Sequence, residues 1–61
     1  MKKYLRPEDL AQRWAMTTKT LAGWRYRGTG PAYIKIGGLV RYAVADLETY
    51  ETVGRVEAVA G

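Results

Sequence analysis

Two helix signals in this chain are separated by only three residues, 15–17, and this short link restricts the fold more than any other sequence feature. The first helix is expected from Pro7 to Trp14, because proline suits the first helical position and the two following carboxylates oppose the helix dipole. The second helix is expected to start after Thr17, whose hydroxyl can cap it, and to end at Gly28. Because the link is so short, the two helices should cross steeply, as in a helix-turn-helix.

Both tryptophans are expected in the core. Trp14 and Trp24 fall at helical spacing from Leu10 and Leu21, on the side of each helix that should turn inward. Aromatic side chains can also stack on the bases of single-stranded nucleic acid. The spacing shared with leucine favours packing over stacking for both residues.

A β-hairpin is expected after the second helix. Glycine and proline at residues 28–31 cannot continue a helix, and two β-prone runs, 33–36 and 39–42, then flank a pair of glycines. With a two-residue loop, Arg41 would share a face with apolar side chains. A three-residue loop, 37–39, is preferred because it gathers the apolar residues inward. In that register the inward residues are Ile34, Ile36, Val40 and Tyr42, with Ile36 opposite Val40 and Ile34 opposite Tyr42, and the outward residues are Tyr33, Lys35 and Arg41.

The remaining chain is expected to add a third helix and a tail. Apolar residues three to four positions apart predict a helix from Val44 to about Thr52, with Asp46 near its start. The domain is therefore expected to span residues 1–53, and residues 54–61 to form a flexible C-terminal tail. The predicted fold class is mostly α with a β-hairpin, in the order helix, turn, helix, two-stranded hairpin, helix.

The composition argues against several classes of function. The 61 residues make one small domain without cysteine or histidine, which removes disulfides, zinc fingers and most transition-metal sites. Only threonine, tyrosine, lysine and scattered carboxylates are left as reactive groups, so neither enzyme activity nor a cofactor is expected. No apolar run approaches the roughly 18 residues of a membrane span and no signal peptide is recognisable, so a cytoplasmic location is expected.

Positive charge is concentrated in one stretch of the chain. The formal net charge is +4, and the stretch from Leu10 to Ala45 contains no acid. Its six basic residues are Arg13, Lys19, Arg25, Arg27, Lys35 and Arg41. A basic composition alone fits nucleic acid, an anionic membrane or an acidic protein. Since this stretch also carries the second helix and the hairpin, duplex DNA is the expected partner; a membrane surface is not, because no long basic amphipathic helix is present.

Several segments keep a spacing that is specific to one protein family. The main ones are Pro7-Glu8-Asp9-Leu10-Ala11, Met16-Thr17-Thr18-Lys19-Thr20-Leu21, Trp24-Arg25, Gly30-Pro31, Tyr33-Ile34-Lys35-Ile36-Gly37 and Val40-Arg41-Tyr42. Over roughly residues 4–51 the chain resembles the small MerR-like, excisionase-type DNA-binding proteins of phages and mobile elements. The resemblance implies a winged helix-turn-helix, with the second helix in the major groove and the hairpin as a wing. The DNA contacts that it implies are Thr18, Lys19, Thr20, Gly23, Arg25, Arg27, Lys35 and Arg41.

The resemblance leaves two DNA-binding roles open. An excisionase, or recombination directionality factor, binds repeated sites cooperatively, bends DNA and assists an integrase; a transcription regulator would use the same residues on an operator. The excisionase is preferred because the chain ends soon after the third helix, without an effector domain. The expected partners are double-stranded DNA, further copies on adjacent sites and an integrase, in a bacterial host. A DNA-packaging adaptor and a protein-interaction module without DNA binding are more distant alternatives.

The chain departs from the pattern of that family in three respects. Ala15 lies in the turn where glycine is usual, so a positive φ there would cost about 1 kcal/mol. Gly23 lies inside the second helix, where it costs roughly 1 kcal/mol relative to alanine and allows close approach of the backbone to DNA. The hairpin tip, Gly38 and Leu39, lacks the basic residue often present in the family, which argues against deep insertion into the minor groove.

Individual contacts differ in how well the sequence defines them. Arg25 can bind either guanine or a phosphate, and Tyr26 is equally open. Tyr33 is exposed in the preferred register. Neighbouring residues could cover its ring, and this is favoured over a contact with DNA or a partner. In the same register Lys35 and Arg41 are cross-strand neighbours of like charge, an unfavourable pair unless an anion lies over it, which favours a phosphate contact.

Overall fold

Three helices and a three-stranded antiparallel sheet form the described part of the chain, residues 2–56 of a computed structural model. The elements in chain order are β1 (Tyr4–Leu5), α1 (Pro7–Arg13), α2 (Thr18–Arg27), β2 (Ile34–Ile36), β3 (Leu39–Ala43) and α3 (Val44–Val53). The fold is therefore mixed α and β, and the prediction of a mostly α fold with two strands was too narrow. Of the predicted tail, residues 57–61 lie outside the described residues.

Strand β1 is the element that the sequence did not predict. Tyr4 pairs with Ala43 and Leu5 with Tyr42, which makes β3 the central strand of the sheet. Leu5 is buried beneath this pairing, while Tyr4 is exposed. Two residues are too few to show the alternation by which a strand is recognised in a sequence.

The ends of α1 and α2 follow their sequence signals. At the start of α1, the backbone N–H of Arg6 donates to the Asp9 carboxylate at 3.1 Å, so an acidic side chain fixes an end that lacks a good capping residue. At the start of α2, the hydroxyl of Thr17 accepts from the backbone N–H of Thr20 at 3.2 Å. Gly28 ends α2 in the left-handed conformation, with φ of 72°.

The turn between α1 and α2 contains a strained residue. Ala15 has φ of 53°, so the cost that the sequence attached to a positive φ at this position does apply. The chain is held in this turn by a hydrogen bond of 2.9 Å from the backbone N–H of Met16 to the carbonyl of Ala11. Met16 then packs against the core, which ties the turn to the interior.

The core lies where the three helices meet β3. Its most deeply buried side chains, each at most 1% exposed, are Leu10, Leu21, Tyr42 and Leu47. Trp14 and Trp24 are partly buried and pack against this cluster, which confirms the packing role predicted for both. Their ring centroids are 6.5 Å apart, so α1 and α2 are in aromatic contact.

The predicted register of the hairpin was wrong. Ile36 pairs with Leu39, Lys35 with Val40 and Ile34 with Arg41, which leaves a two-residue loop. Gly37 and Gly38 form this loop with φ of 56° and 91°, because a tight turn whose two central residues both have positive φ matches the twist of a hairpin and suits glycine.

The observed register changes which hairpin residues reach the core. Val40 and Tyr42 turn inward as predicted. Ile34 and Ile36 do not; they are 40% and 56% exposed, on the same face as Arg41. The prediction had maximised apolar burial, but the glycine loop sets the pairing of the strands. On the hairpin, the core therefore extends no further toward the loop than Val40.

In the part of the chain that the structure describes, no helix combines the length and the apolar character that crossing a membrane requires.

Candidate nucleic-acid interface

The exposed side of α2 combines basic, aromatic and small residues. Burial of Leu21, and partial burial of Trp24, fixes the rotation of this helix and turns the opposite side to solvent. The residues that line the exposed side, called the α2 surface below, are Lys19, Thr20, Ala22, Gly23, Tyr26 and Arg27. They contain two cations and no acid, so this surface suits an anionic partner.

Gly23 shapes the middle of the α2 surface. The Arg27 guanidinium lies over it, so that a Cβ added at Gly23 would lie 3.2 Å from Nη1 of Arg27. Without a side chain at position 23, the Arg27 guanidinium can lie close against the helix backbone. A ligand at this surface therefore meets the cations of Lys19 and Arg27, and it reaches the backbone at Gly23 only when the Arg27 side chain moves.

Tyr26 and Ala22 are the residues of this surface that the predicted site did not include, and Tyr26 is the one with a polar group. Its side chain is 93% exposed, the highest value among the large apolar or aromatic residues that the structure describes. A signal for it was present, since positions 19, 23 and 26 share the three-to-four spacing of one helix face. A phenol ring held this far into solvent can both stack and donate a hydrogen bond.

Of the two predicted threonine contacts at the start of α2, one takes part in the helix cap and the other is exposed. Thr20 belongs to the helix cap, since its hydroxyl lies 3.1 Å from that of Thr17 and its N–H is also bound there. Thr18 is exposed at the first helical position. Both residues therefore lie where a helix that enters a DNA groove presents its N-terminal end.

Arg25 points away from the α2 surface toward the sheet. Its Nη1 donates to the hydroxyl of Tyr42 at 2.6 Å, and its guanidinium lies over the rings of both Tyr33 and Tyr42. The side chain is partly buried. Of the basic residues predicted to contact DNA, Arg25 is thus the one held between α2 and the hairpin.

Arg13 is also engaged within the molecule. Its Nε and Nη2 donate to the two carboxylate oxygens of Glu51 at 2.8 and 2.9 Å, and Trp14 Nε1 donates to the same carboxylate at 2.6 Å. The hydrogen bond from Arg13, followed by that from Trp14, lowers the pKa of Glu51 to about 2. One of the six cations of the acid-free stretch therefore joins α1 to α3.

On the hairpin, the two basic residues lie on opposite faces. Arg41 pairs with Ile34 and Lys35 with Val40, so the prediction that the two cations are like-charged neighbours on one face was wrong. The two-residue glycine loop is the cause, since a shift by one residue moves a side chain to the other face. The argument that an anion must lie over such a pair therefore no longer applies.

Tyr33 is exposed, as predicted, with 38% of its surface accessible. Its ring also contacts that of Tyr42 in a tilted arrangement, with 6.2 Å between the ring centroids.

The ion pairs of the described residues lie away from the α2 surface and the hairpin. Within residues 2–56, the ion pairs join Lys2 and Arg6 to Glu8 or Asp9, and Arg13 to Glu51. No ion pair in this range involves the cations of the α2 surface or of the hairpin, which are Lys19, Arg27, Lys35 and Arg41. The acids that this range leaves unpaired, Asp46 and Glu48, lie on α3.

Comparison with known proteins does not assign the chain to a family. No protein-family model matches it, and no curated protein is significantly similar to it.

Proposed function

We propose that the chain is a winged helix-turn-helix protein that binds double-stranded DNA, with α2 in the major groove and the β2–β3 hairpin as the wing. The observation that carries this proposal is the α2 surface, where Lys19 and Arg27 lie beside Gly23 and form no ion pair within residues 2–56. The major groove is about 12 Å wide and admits an α-helix. Cations along such a helix reach phosphates or base edges on either side of it.

The proposed contacts follow from position along α2 and the hairpin. Thr18, Lys19 and Thr20 stand at the end of the helix that reads bases in helix-turn-helix proteins. Tyr26 and Arg27 lie about two turns further on, where the helix meets the groove wall or the phosphates. On the hairpin, Arg41 and Lys35 supply one phosphate contact from each face.

The size of the interface predicts modest affinity for one copy. A single DNA-binding module buries about 600–1,000 Å² of protein surface. With about four to six phosphate contacts, binding should weaken steeply as salt rises. Useful occupancy therefore requires either several copies on adjacent sites or cooperation with a larger protein.

The proposal is tested by selecting sequences from a random duplex pool and then measuring affinity for the selected duplex by fluorescence anisotropy. The variants Lys19→Ala and Arg27→Ala are each expected to weaken binding about fivefold or more, because the loss of one contact costs about 1–3 kcal/mol. Lys2→Ala is the matched control, because it removes the same charge from the chain terminus, where Lys2 lies 3.7 Å from Asp9.

Two outcomes contradict the proposal. In the first, the wild-type protein enriches no sequence, and its affinity for duplex DNA equals that of Lys2→Ala, Lys19→Ala and Arg27→Ala. The other is binding to an acidic protein that survives both α2 substitutions while duplex binding is absent. The second result identifies the chain as a protein-interaction module instead.

For the biological role, we propose an excisionase that bends DNA and assists an integrase, and the support for this finer assignment is the sequence resemblance alone. A transcription regulator of the same fold would bind DNA through the same residues. Circular-permutation gel shifts separate the two, since an excisionase should bend its site and occupy several adjacent repeats. A single unbent operator site upstream of a repressed gene would identify a regulator.

A further inference from the structure

Arg25 makes the side-chain hydrogen bond that joins α2 to the hairpin in the described structure. Nη1 of Arg25 lies 2.6 Å from the Tyr42 hydroxyl, and the two residues are 17 positions apart in the sequence. The guanidinium carbon is 5.8 Å from the centroid of the Tyr33 ring and 6.0 Å from that of Tyr42. The two rings also contact each other, at 6.2 Å.

These contacts bear on the hairpin because both tyrosines belong to its base. Tyr42 lies in the central strand β3 and is 1% exposed, whereas Tyr33 immediately precedes β2. A buried phenol requires a hydrogen-bond partner, and Arg25 supplies it. The guanidinium plane can at the same time lie against aromatic faces, which a lysine ammonium does less well.

We propose that Arg25 is a positioning residue for DNA recognition: it fixes the angle of the hairpin relative to α2 and does not itself bind a base or a phosphate. The inference rests on the proposed function, because the angle matters only if helix and hairpin grip one ligand. DNA binding requires both elements to match the duplex at once, so loss of the fixed angle lowers affinity without removing a contact. The structure thus assigns to Arg25 a role different from that of Lys19 and Arg27.

The two roles differ in their dependence on salt and on the chemistry of the side chain. Removing a phosphate contact reduces the log-log salt slope of binding by about 1. Removing a positioning residue lowers affinity but leaves that slope unchanged, because the same number of counterions is released. Lysine at position 25 retains a phosphate contact but does not reproduce the planar contact with two rings.

The decisive variant is Tyr42→Phe, which removes a hydroxyl that DNA cannot reach and keeps the core ring. We expect Tyr42→Phe to weaken binding to the selected duplex about threefold to tenfold, and Arg25→Lys and Arg25→Ala to weaken it at least tenfold. All three should retain the wild-type salt slope. Lys19→Ala is the contact control and should lose about 1 from the slope.

A second measurement needs no DNA and covers the case in which Arg25→Ala folds poorly. Amide hydrogen exchange of the free Tyr42→Phe protein should speed up in β2 and β3 relative to α1 and α3, because the link that holds the hairpin is weakened. Thermal melting of the same sample shows whether the change is local to the hairpin or global.

The outcomes separate this inference from the proposed function. If the wild-type protein binds no duplex, both proposals are wrong. If it binds and Lys19→Ala weakens it, but Tyr42→Phe binds like the wild type, the positioning role is wrong and the proposed function stands. The same conclusion follows if Arg25→Ala loses about 1 from the salt slope and Arg25→Lys restores it, since Arg25 is then a phosphate contact.

Discussion

Ala15 stores backbone strain in the turn that joins α1 to α2. Among residues 2–56 it is the only non-glycine residue with positive φ, at 53°. An L-residue pays about 1–2 kcal/mol for this conformation, which glycine adopts freely. Ala15→Gly is therefore expected to raise the free energy of unfolding by about 1 kcal/mol, as measured by urea denaturation. Ala22→Gly, on the exposed side of α2, is the matched control and should lower it by about 1 kcal/mol. Equal losses in both variants would contradict a left-handed conformation at position 15.

Gly28 and Gly30 both require positive φ, yet only Gly30 is also crowded. Their φ angles are 72° and 84°, and a Cβ at Gly28 would meet nothing within 4 Å. A Cβ at Gly30 would lie 2.8 Å from Cε3 of Trp24. Gly28→Ala should thus cost about 1–2 kcal/mol through strain. Gly30→Ala should cost a further 1–3 kcal/mol, roughly, because the packed indole must move. Urea denaturation gives both free-energy costs, and only Gly30→Ala is expected to shift the tryptophan emission. Equal costs in the two variants would show that the Trp24 ring moves without an energetic penalty.

The side-chain hydrogen bonds that join the end of α1 to α3 converge on one carboxylate. Hydrogen bonds from Arg13 and then Trp14 lower the pKa of Glu51 to about 2, below its ordinary value of 4.5. A group whose pKa is lower in the folded state contributes stability above its unfolded pKa, and that contribution is lost as pH falls through the folded value. The melting temperature should therefore fall between about pH 4.5 and pH 2 partly because Glu51 is protonated.

Glu51→Gln tests this contribution. The variant should melt below the wild type at pH 7, and the difference should shrink as pH falls from about 4.5 to 2. Glu48→Gln is the control for loss of one charge near Arg13, because Glu48 lies on the same helix and acts on Arg13 by its charge alone, without a side-chain hydrogen bond or an ion pair within residues 2–56. Asp9, whose pKa is also lowered by its hydrogen bond with Arg6, is present in every sample and cancels in the comparison. A difference between wild type and Glu51→Gln that stays constant with pH would contradict the assignment.

Elements with local end signals could be predicted from the sequence, and elements set by distant pairing could not. Thr17 and Gly28 mark the two ends of α2 as predicted, because a cap acts within three or four residues of the helix end. The register of the hairpin was missed because apolar burial was weighed above the preference of two glycines for a two-residue turn. Strand β1 exists because Tyr4 and Leu5 meet β3 nearly 40 positions later, a pairing that no local pattern announces.

The candidate site was predictable only as far as residue type and helix face allow. The sequence located the basic stretch, and three of the contacts that it predicted, Lys19, Gly23 and Arg27, lie on one surface of α2. It could not show that Arg13 and Arg25 are engaged internally, because their partners lie 38 and 17 positions away along the chain. Folding thus separates two cations that join elements, Arg13 and Arg25, from the cations that form no ion pair within residues 2–56. Of the latter, Arg41 donates from Nη1 to the backbone carbonyl of Val40 at 2.7 Å.

This separation predicts the salt dependence of DNA binding for the whole molecule. Four cations of the acid-free stretch form no internal ion pair and are not held between elements: Lys19, Arg27, Lys35 and Arg41. Each neutralised phosphate contributes about −0.9 to the log-log salt slope, so four contacts predict a slope of about −3.6. Participation of all six cations would predict about −5.4.

Anisotropy titrations of the selected duplex between about 50 and 200 mM monovalent salt distinguish these values. Lys2→Ala is the control that should leave the slope unchanged, while Lys19→Ala should reduce it by about 0.9. A wild-type slope near −5.4 would mean that Arg13 and Arg25 leave their internal partners when DNA binds. In that case Glu51→Gln, which releases Arg13 in the free protein, should strengthen DNA binding. If the slope is near −3.6 instead, any gain in affinity from Glu51→Gln should be limited to the general effect of removing one negative charge.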